Sequence, residues 1–501
     1  MNKIMIQSSG NGYRKWIGLF LGPVLALSIH LFPLPDSIVN VVGSVEGARA
    51  AWVTLSLLIL MAVWWVSEAI PIPVTSLLPM VILPFFDVQS IKLTAAEYMN
   101  PVVVLLMGGF IIAKAIERWD LHSRIALSVV AKVGANPSML IGGFMLAAAL
   151  LSMWISNTAT SIMMMPIALS VAVAVVGKDR VNGPFTWALL LGVAYACSIG
   201  GLGTYIGTPT NLIIKSQIEA SAGIEIGFAQ WMMFGIPTVV LMLPAAWFVL
   251  TKWAFPIKLE EASAGHEVVC EQLNSLGKIS TPEWRTMAVF AVVASLWIFH
   301  RPLVNLEIGE VKPFSGLTDH VTAIFGVILC FLVPSGSKSE PGSMLLNWKS
   351  AESIPWGVLL LFGGGMSLAA AITKTNLGSW VGAELAIFGD LPPIMIILAV
   401  TTIVIFLTEV TSNVATASAL MPMLVALSGQ TGIDVILLGA PLALAASCAF
   451  MLPMATGPNA VVYATGDVSL PIMARAGFRL NILSIFIVTG IAYYIAPLVL
   501  R

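Results

Sequence analysis

Two stretches of this chain, 256 positions apart, carry the same polar interruption inside a long apolar run. Ser156-Asn157 falls on Ser412-Asn413, Ala159-Thr160 on Ala415-Thr416, and Met165-Pro166 on Met421-Pro422. In the same register, Gly108-Gly109 falls on Gly364-Gly365 and Pro137 on Pro393, with no gap from Leu105 to Pro166. A small deletion then brings Gly207-Thr208-Pro209-Thr210-Asn211 onto Ala455-Thr456-Gly457-Pro458-Asn459. Apolar runs align by chance, but Gly, Pro, Ser and Asn held at one register do not. Such a chain is two related halves, each with two polar points at which a helix must break.

The surrounding residues say where those halves sit. Of 501 residues 58% are hydrophobic and only 10% charged, against about 25% charged in soluble domains. That charge is too little to cover a water-facing surface, which excludes a cytosolic enzyme, a nucleic-acid binder and a disordered chain. Apolar runs able to form membrane helices are Trp16–Phe32, Ala51–Val66, Val74–Phe86, Val102–Ile116, Met139–Val176, Phe185–Ile214, Gln230–Trp253, Met287–His300, Val321–Pro334, Trp356–Ile372, Pro392–Leu427, Val435–Ala464 and Leu480–Leu500. No small-residue cleavage site follows the first run, so it reads as a span rather than a cleaved signal. The formal net charge of −1 suggests no polyanionic partner. Cys197, Cys270, Cys330 and Cys448 are scattered, without a disulfide or zinc pattern.

Charge bias orients the runs. With the N-terminus inside and both Ser-Asn regions treated as re-entrant hairpins, seventeen of the 24 Lys and Arg residues fall inside, including Lys3, Lys178, Arg180 and Lys258, while Arg501 falls outside. This satisfies the positive-inside rule. It predicts an all-α polytopic membrane protein with about eleven transmembrane helices plus two re-entrant hairpins, and a C-terminus outside. The polar stretch Pro256–Arg285 reads as a cytoplasmic linker. The first copy then starts from the inside and the second from the outside. Such an inverted repeat is a mark of secondary transporters.

The repeated residues suit ion and anion binding. A helix broken within the membrane frees backbone groups that only protein or a water-filled cavity can satisfy. Half-helix N-termini offer bare N–H donors to carboxylates. Freed carbonyls, a hydroxyl and the amide oxygen of Asn157 or Asn413 make a plausible shell for sodium. The competing reading of Ser156-Asn157-Thr158 is helix capping and interhelical hydrogen bonding. Among acids near apolar runs, Glu68 and Glu409 read as structural hydrogen-bonding groups. None of the five histidines falls in a repeat break, which weakens a histidine proton relay.

Ser156-Asn157-Thr158, Ser412-Asn413-Val414 and the segments 207–211 and 455–459 carry a resemblance, together with Trp356–Gly365, Phe406–Asn413 and Ser447–Ala455. On these residues the chain resembles the divalent anion/sodium symporter family, bacterial and animal di- and tricarboxylate transporters among them. The resemblance implies a homodimer, an elevator mechanism and a bacterial inner-membrane location. It implies scaffold helices over residues 1–132 and 286–378, and a transport domain made of 133–255 and 379–501, joined by the linker 256–285. A first sodium site would use Ser152, Ser156, Asn157 and the Gly207 carbonyl. A second would use Thr408, Thr411, Asn413 and Ala455. Substrate carboxylates would meet Ser156, Asn157, Thr158, Thr208, Pro209, Ser412, Asn413, Val414, Thr456 and Gly457. The chain departs from the family pattern at Val414, where many members have Thr, and at Thr210 and Gly457, where Pro is frequent. These departures bear on substrate choice.

The expected function is sodium-coupled symport of a C4-dicarboxylate of the succinate, malate or fumarate type. The alternatives are a sodium-independent di- or tricarboxylate exchanger, with citrate or tartrate as substrates, and an anion channel. No HExxH, GxSxG or catalytic acid pair supports an enzyme.

Overall fold

In a computed structural model, residues 9–177, 182–257, 262–308, 311–385 and 392–500 are described. Lys3, Lys178, Arg180, Lys258 and Arg501, used in the charge comparison, lie outside them. Among the described residues the chain is helical, with two isolated bridges, Ile308 to Val311 and Pro334 to Met344.

Among the described residues, six helical segments are long and apolar enough to cross a membrane: Val45–Ser67, Ile91–Arg118, Asn157–Val176, Phe228–Ala254, Trp356–Lys374 and Leu470–Val499. A seventh appears if the bent pair Tyr13–Leu31 and Asp36–Val42 counts as one span. The other apolar helices are shorter, so an expected total of eleven depends on counting broken helices as crossings. A helix rises 1.5 Å per residue against a core of about 30 Å. The 16 residues of Pro137–Ser152 or Pro393–Thr408 and the 17 of Pro184–Gly200 are shorter than the roughly 20 that a straight crossing takes.

These shorter helices join their neighbours in two helical hairpins and two broken helices, which turn or break at the repeated polar interruptions. The first hairpin joins Pro137–Ser152 to Asn157–Val176, and the second joins Pro393–Thr408 to Asn413–Thr431. Each entering arm has Pro at its first turn, where a missing N–H costs nothing. The first broken helix is Pro184–Gly200 followed by Pro209–Ala222, and the second is Val435–Ala445 followed by Gly457–Thr465. From Ala188 to Gly200 every residue is buried, as is every residue from Leu438 to Ala445. Helices apolar all round belong in a protein centre, so the broken helices form the middle of the bundle. The hairpin arms pack around them and turn Leu146, Leu150, Ile162 and Ile403 outward, onto a surface suited to lipid. At Gly200 the backbones pack directly: a Cβ there would lie 2.5 Å from the Ala149 Cα.

Three expectations need refinement. The run Val74–Phe86 is divided into Ile72–Thr75 and Leu78–Phe85. Hydropathy does not register the prolines at 73, 79 and 84, and Tyr98 Oη donates to the freed Ser76 carbonyl at 2.5 Å. The central polar stretch is more than a strap, because Ser263–Ser275 is a helix that buries Gly265 and Val269. A Cβ on Gly265 would lie 2.5 Å from Val175 of the first hairpin, while Arg124 holds Glu283 at 2.7 Å and the Gly277 carbonyl at 2.8 Å. Finally, Glu68 ends the Val45–Ser67 helix in a left-handed conformation (φ 51°), is exposed, and has no hydrogen-bond partner among the described residues.

Candidate functional site

The first turn of a helix leaves backbone N–H groups unpaired, and a Ser or Thr before it normally accepts from one of them. Ser156 and Ser412 occupy that place at the two hairpin tips, yet neither side chain caps its helix. Thr208 likewise precedes the second half of the first broken helix without capping it. Only Thr456 caps, accepting from the Asn459 amide at 3.3 Å. The capping explanation for Ser156-Asn157-Thr158 therefore fails. Three helix N-termini present free donors and uncommitted hydroxyls, which is what an anionic group requires. Ser156 is exposed, and Asn157, Thr158, Ser412, Asn413 and Val414 are partly exposed.

Behind each tip the two halves repeat one set of hydrogen bonds. Ser152 Oγ donates to Asn157 Oδ1 at 2.6 Å, and Thr408 Oγ1 lies 2.8 Å from Asn413 Oδ1 and 3.0 Å from the Ala446 carbonyl. At the facing breaks, Asn211 Nδ2 donates to the Gly201 and Thr204 carbonyls at 3.0 and 2.9 Å. Asn459 Nδ2 donates to the Ala449 and Leu452 carbonyls at 3.0 and 3.1 Å. Both asparagines are fully buried, and each keeps an unpaired Oδ1. Broken helices leave carbonyls orphaned, and the same amide at the same spacing claims two of them in each half.

Tip and break also meet. A Cβ on Gly201 would lie 2.7 Å from Asn157 Oδ1, so only a residue without one lets Asn157 sit there. Gly457, in the second half, lies directly against the Thr158 hydroxyl of the first. Tyr195 Oη donates to the Phe450 carbonyl at 2.7 Å, joining the two broken helices. Thus Ser152, Asn157 and the Gly201–Gly207 segment come together, as do Thr408 with Asn413 and Thr158 with Gly457. Gly207 closes its own turn, its amide 3.0 Å from Thr204 Oγ1. Thr411 Oγ1, in the hairpin turn, donates to the Leu407 carbonyl at 2.9 Å and lies 2.5 Å from Thr416 Oγ1. Ser412, Thr208, Pro209 and Ala455 stand at the predicted breaks without a side-chain bond of their own among the described residues.

Sequence reasoning placed Glu409 as a structural hydrogen-bonding group but did not identify its partners. Its carboxylate is 3% exposed and accepts from the Phe450, Met451 and Leu452 amides at 2.8 to 3.0 Å and from Asn481 Nδ2 at 2.7 Å. Asn481 was missed altogether. Its only signal is an amide within an apolar run near the chain's end. A cavity of about 650 Å³ lies beside the second hairpin, lined by Gln217, Met366, Lys374 and Pro422 among others, and no candidate site residue borders it.

Uncapped tips facing broken helices, inside an apolar helical bundle, define a membrane transport protein. A family profile described as the sodium:sulfate symporter transmembrane region matches residues 13–500. The sodium-dependent dicarboxylate transporter SdcS of Staphylococcus saprophyticus is 39% identical over 490 residues, covering 97% of this chain and 92% of the relative. SdcS of Staphylococcus aureus strain USA300 is 40% identical over the same shares. Two solved transporters resemble it in fold alone. Neisseria gonorrhoeae MtrF has a TM-score of 0.54 at 15% identity, over 79% of this chain and 82% of that one. Alcanivorax borkumensis YdaH has 0.57 at 13%, over 90% and 98%. The chain belongs to the sodium:sulfate symporter family, the divalent anion/sodium symporters that its repeated motifs resemble.

Proposed function

We propose that this protein carries a C4-dicarboxylate across a bacterial inner membrane together with sodium ions. The observation that carries the reading is the pair of tips: in each, an Asn amide oxygen and a hydroxyl stand behind an uncapped helix N-terminus. The curated relatives, 39–40% identical over nearly the whole chain, are named sodium-dependent dicarboxylate transporters.

The chemistry divides between donors and acceptors. Free N–H groups and the Ser156, Thr158, Thr208 and Ser412 hydroxyls donate to the two carboxylates. The oxygens of Ser152, Ser156, Asn157 and Gly207 suit one co-transported sodium, and those of Thr408, Thr411, Asn413 and Ala455 a second, since hard cations take oxygen ligands. No Lys or Arg occurs in residues 152–158, 201–211, 408–414 or 446–459. A dianion held there is balanced by sodium and helix dipoles, and that is the physical reason for coupling.

The two halves are read as an inverted repeat. Residues 133–255 and 379–501 act as a transport domain that moves as an elevator against scaffold helices in 1–132 and 286–378, within a homodimer. Where the two proposed domains meet, Tyr205, four residues beyond Gly201, donates to Asp319. The 650 Å³ cavity gives such a domain room beside the second hairpin. The N-terminus is placed in the cytoplasm and the C-terminus outside. Uptake of labelled succinate into proteoliposomes, with and without an inward sodium gradient, tests the coupling. Accumulation only with sodium supports symport; uptake driven by preloaded carboxylate and indifferent to sodium would establish exchange instead.

A further inference from the structure

We infer that Glu409 is a positioning residue for the second cation site: its carboxylate holds the backbone that presents the cation's carbonyl ligands, and so sets sodium affinity in that half alone. The inference rests on the proposed sodium-coupled reading.

The backbone from Ala446 to Ala455 has left the helix and must be fixed by other groups. Its carbonyls are fixed by polar side chains: Ala446 by Thr408 Oγ1, Ala449 and Leu452 by Asn459 Nδ2, and Phe450 by Tyr195 Oη. Three consecutive amides, 450 to 452, turn to one acceptor, Glu409, which a fourth donor, Asn481, holds from the Leu470–Tyr494 helix. Four donors and no acceptor suit an ionised carboxylate. Glu409 directly follows Thr408, whose hydroxyl reaches Asn413. One side chain thus joins the hairpin tip, the break and a neighbouring helix.

The first half solves the same problem without an acid. In the repeat register, Met153 stands where Glu409 does. The amides of Leu202 and Gly203 are satisfied by their own turn, through the Ile199 and Gly200 carbonyls at 3.1 and 2.9 Å. Gly203 packs on the Met153 side chain, which would stand 3.0 Å from a Cβ there. The two cation sites therefore share ligand types but differ in what holds the backbone. Removing the acid should loosen one site and leave the other intact.

The experiment is sodium titration of uptake by purified full-length protein in proteoliposomes, at saturating succinate. Glu409→Gln keeps the shape but replaces an acceptor oxygen with a donor. It should raise the half-saturating sodium concentration about tenfold, as loss of an outer-shell partner does at metal sites. Sodium cooperativity should fall with it, while the succinate KM at saturating sodium stays near that of the parent. A bulk structural role would instead lower yield and maximal rate with the sodium curve unmoved, and that result overturns the proposal. Asn481→Leu removes one donor without touching the tip and should shift the sodium curve in the same direction by less. If Glu409→Gln does not fold, the Asn481→Leu curve decides: a shift supports the inference, and an unmoved curve rejects it. Parent protein indifferent to sodium would defeat the coupled-transport reading itself, an outcome read before any variant is made.

Discussion

The first hairpin and break share their hydrogen-bond frame with the second, but not what fills it. The hydroxyl-to-Asn bond behind each tip and the Asn amide across each break recur in both halves. Around this frame, Met153 stands against Glu409, Thr158 against Val414, and Gly201 against Ala449. The shared part is what any broken helix in a membrane needs, because each buried carbonyl left open costs free energy wherever it sits. The unshared part is free to specialise. One half keeps a hydroxyl at its tip and a local turn at its break. The other has Val414 in place of Thr158 and anchors its break with a buried carboxylate.

The strongest challenge to this equivalence is to cut the shared frame. Asn157→Ala and Asn413→Ala should each abolish uptake, by about a hundredfold or more, because each strips a proposed cation oxygen; the first also leaves the buried Ser152 hydroxyl unpaired, whereas Thr408 keeps the Ala446 carbonyl. Both should still elute as folded protein. Loss from one half only would show that a single half binds the cargo and that the other is architecture.

Next come the asparagines across the breaks. Asn211→Ala and Asn459→Ala each leave one buried carbonyl, of Gly201 or Ala449, without its donor, and remove one of two donors from a second, of Thr204 or Leu452, at about 1–3 kcal/mol for the unpaired group. The second break is also held by Glu409 and Tyr195, so Asn459→Ala should lower the thermal midpoint less than Asn211→Ala. Equal losses would mean that Glu409 adds nothing to the stability of its half.

A smaller effect separates cation from carboxylate. Gly201→Ala drives a methyl into Asn157 Oδ1, which lies 2.7 Å from that position, and Gly457→Ala drives one into the Thr158 hydroxyl. The first should raise the sodium requirement and the second the succinate KM, each by about tenfold, the cost of roughly one displaced hydrogen bond. Identical kinetic signatures would break the division of labour between these two contacts.

The frame was largely legible beforehand, and the filling was not. Helix breaks are written locally, as Gly-Thr-Pro-Thr-Asn or Ser-Asn within an apolar run, and duplication separated them from chance. Asn211 and Asn459 stood in those motifs, but their work depends on carbonyls 7 and 10 residues away, whose direction only the folded backbone sets. Glu409 was visible as an acid among apolar residues, yet its partners lie 41 to 72 residues further on. Glu68 gave a similar signal and is an exposed helix end. An acid beside an apolar run thus says nothing about its own burial. The run expected as one span at Val74–Phe86 divides at Ser76-Leu77 for a related reason: hydropathy sums side chains and ignores where prolines interrupt a helix.

The subtlest expected difference tests what was given up at position 414. Val414 is partly exposed and packs against apolar residues of both neighbouring clusters, whereas its counterpart Thr158 sets a hydroxyl against Gly457. Val and Thr have nearly the same shape, so Val414→Thr adds a donor with little change in packing. One added hydrogen bond is worth about 0.5–1.5 kcal/mol, or roughly a two- to tenfold change in affinity. It should reorder competition among succinate, malate, tartrate and citrate, favouring acids with an oxygen near that tip. Sodium half-saturation should stay put, because no proposed cation oxygen is touched. A reordered panel with an unmoved sodium curve would make the second tip a selectivity element. An unchanged panel would place the substrate against Thr158 and away from Val414.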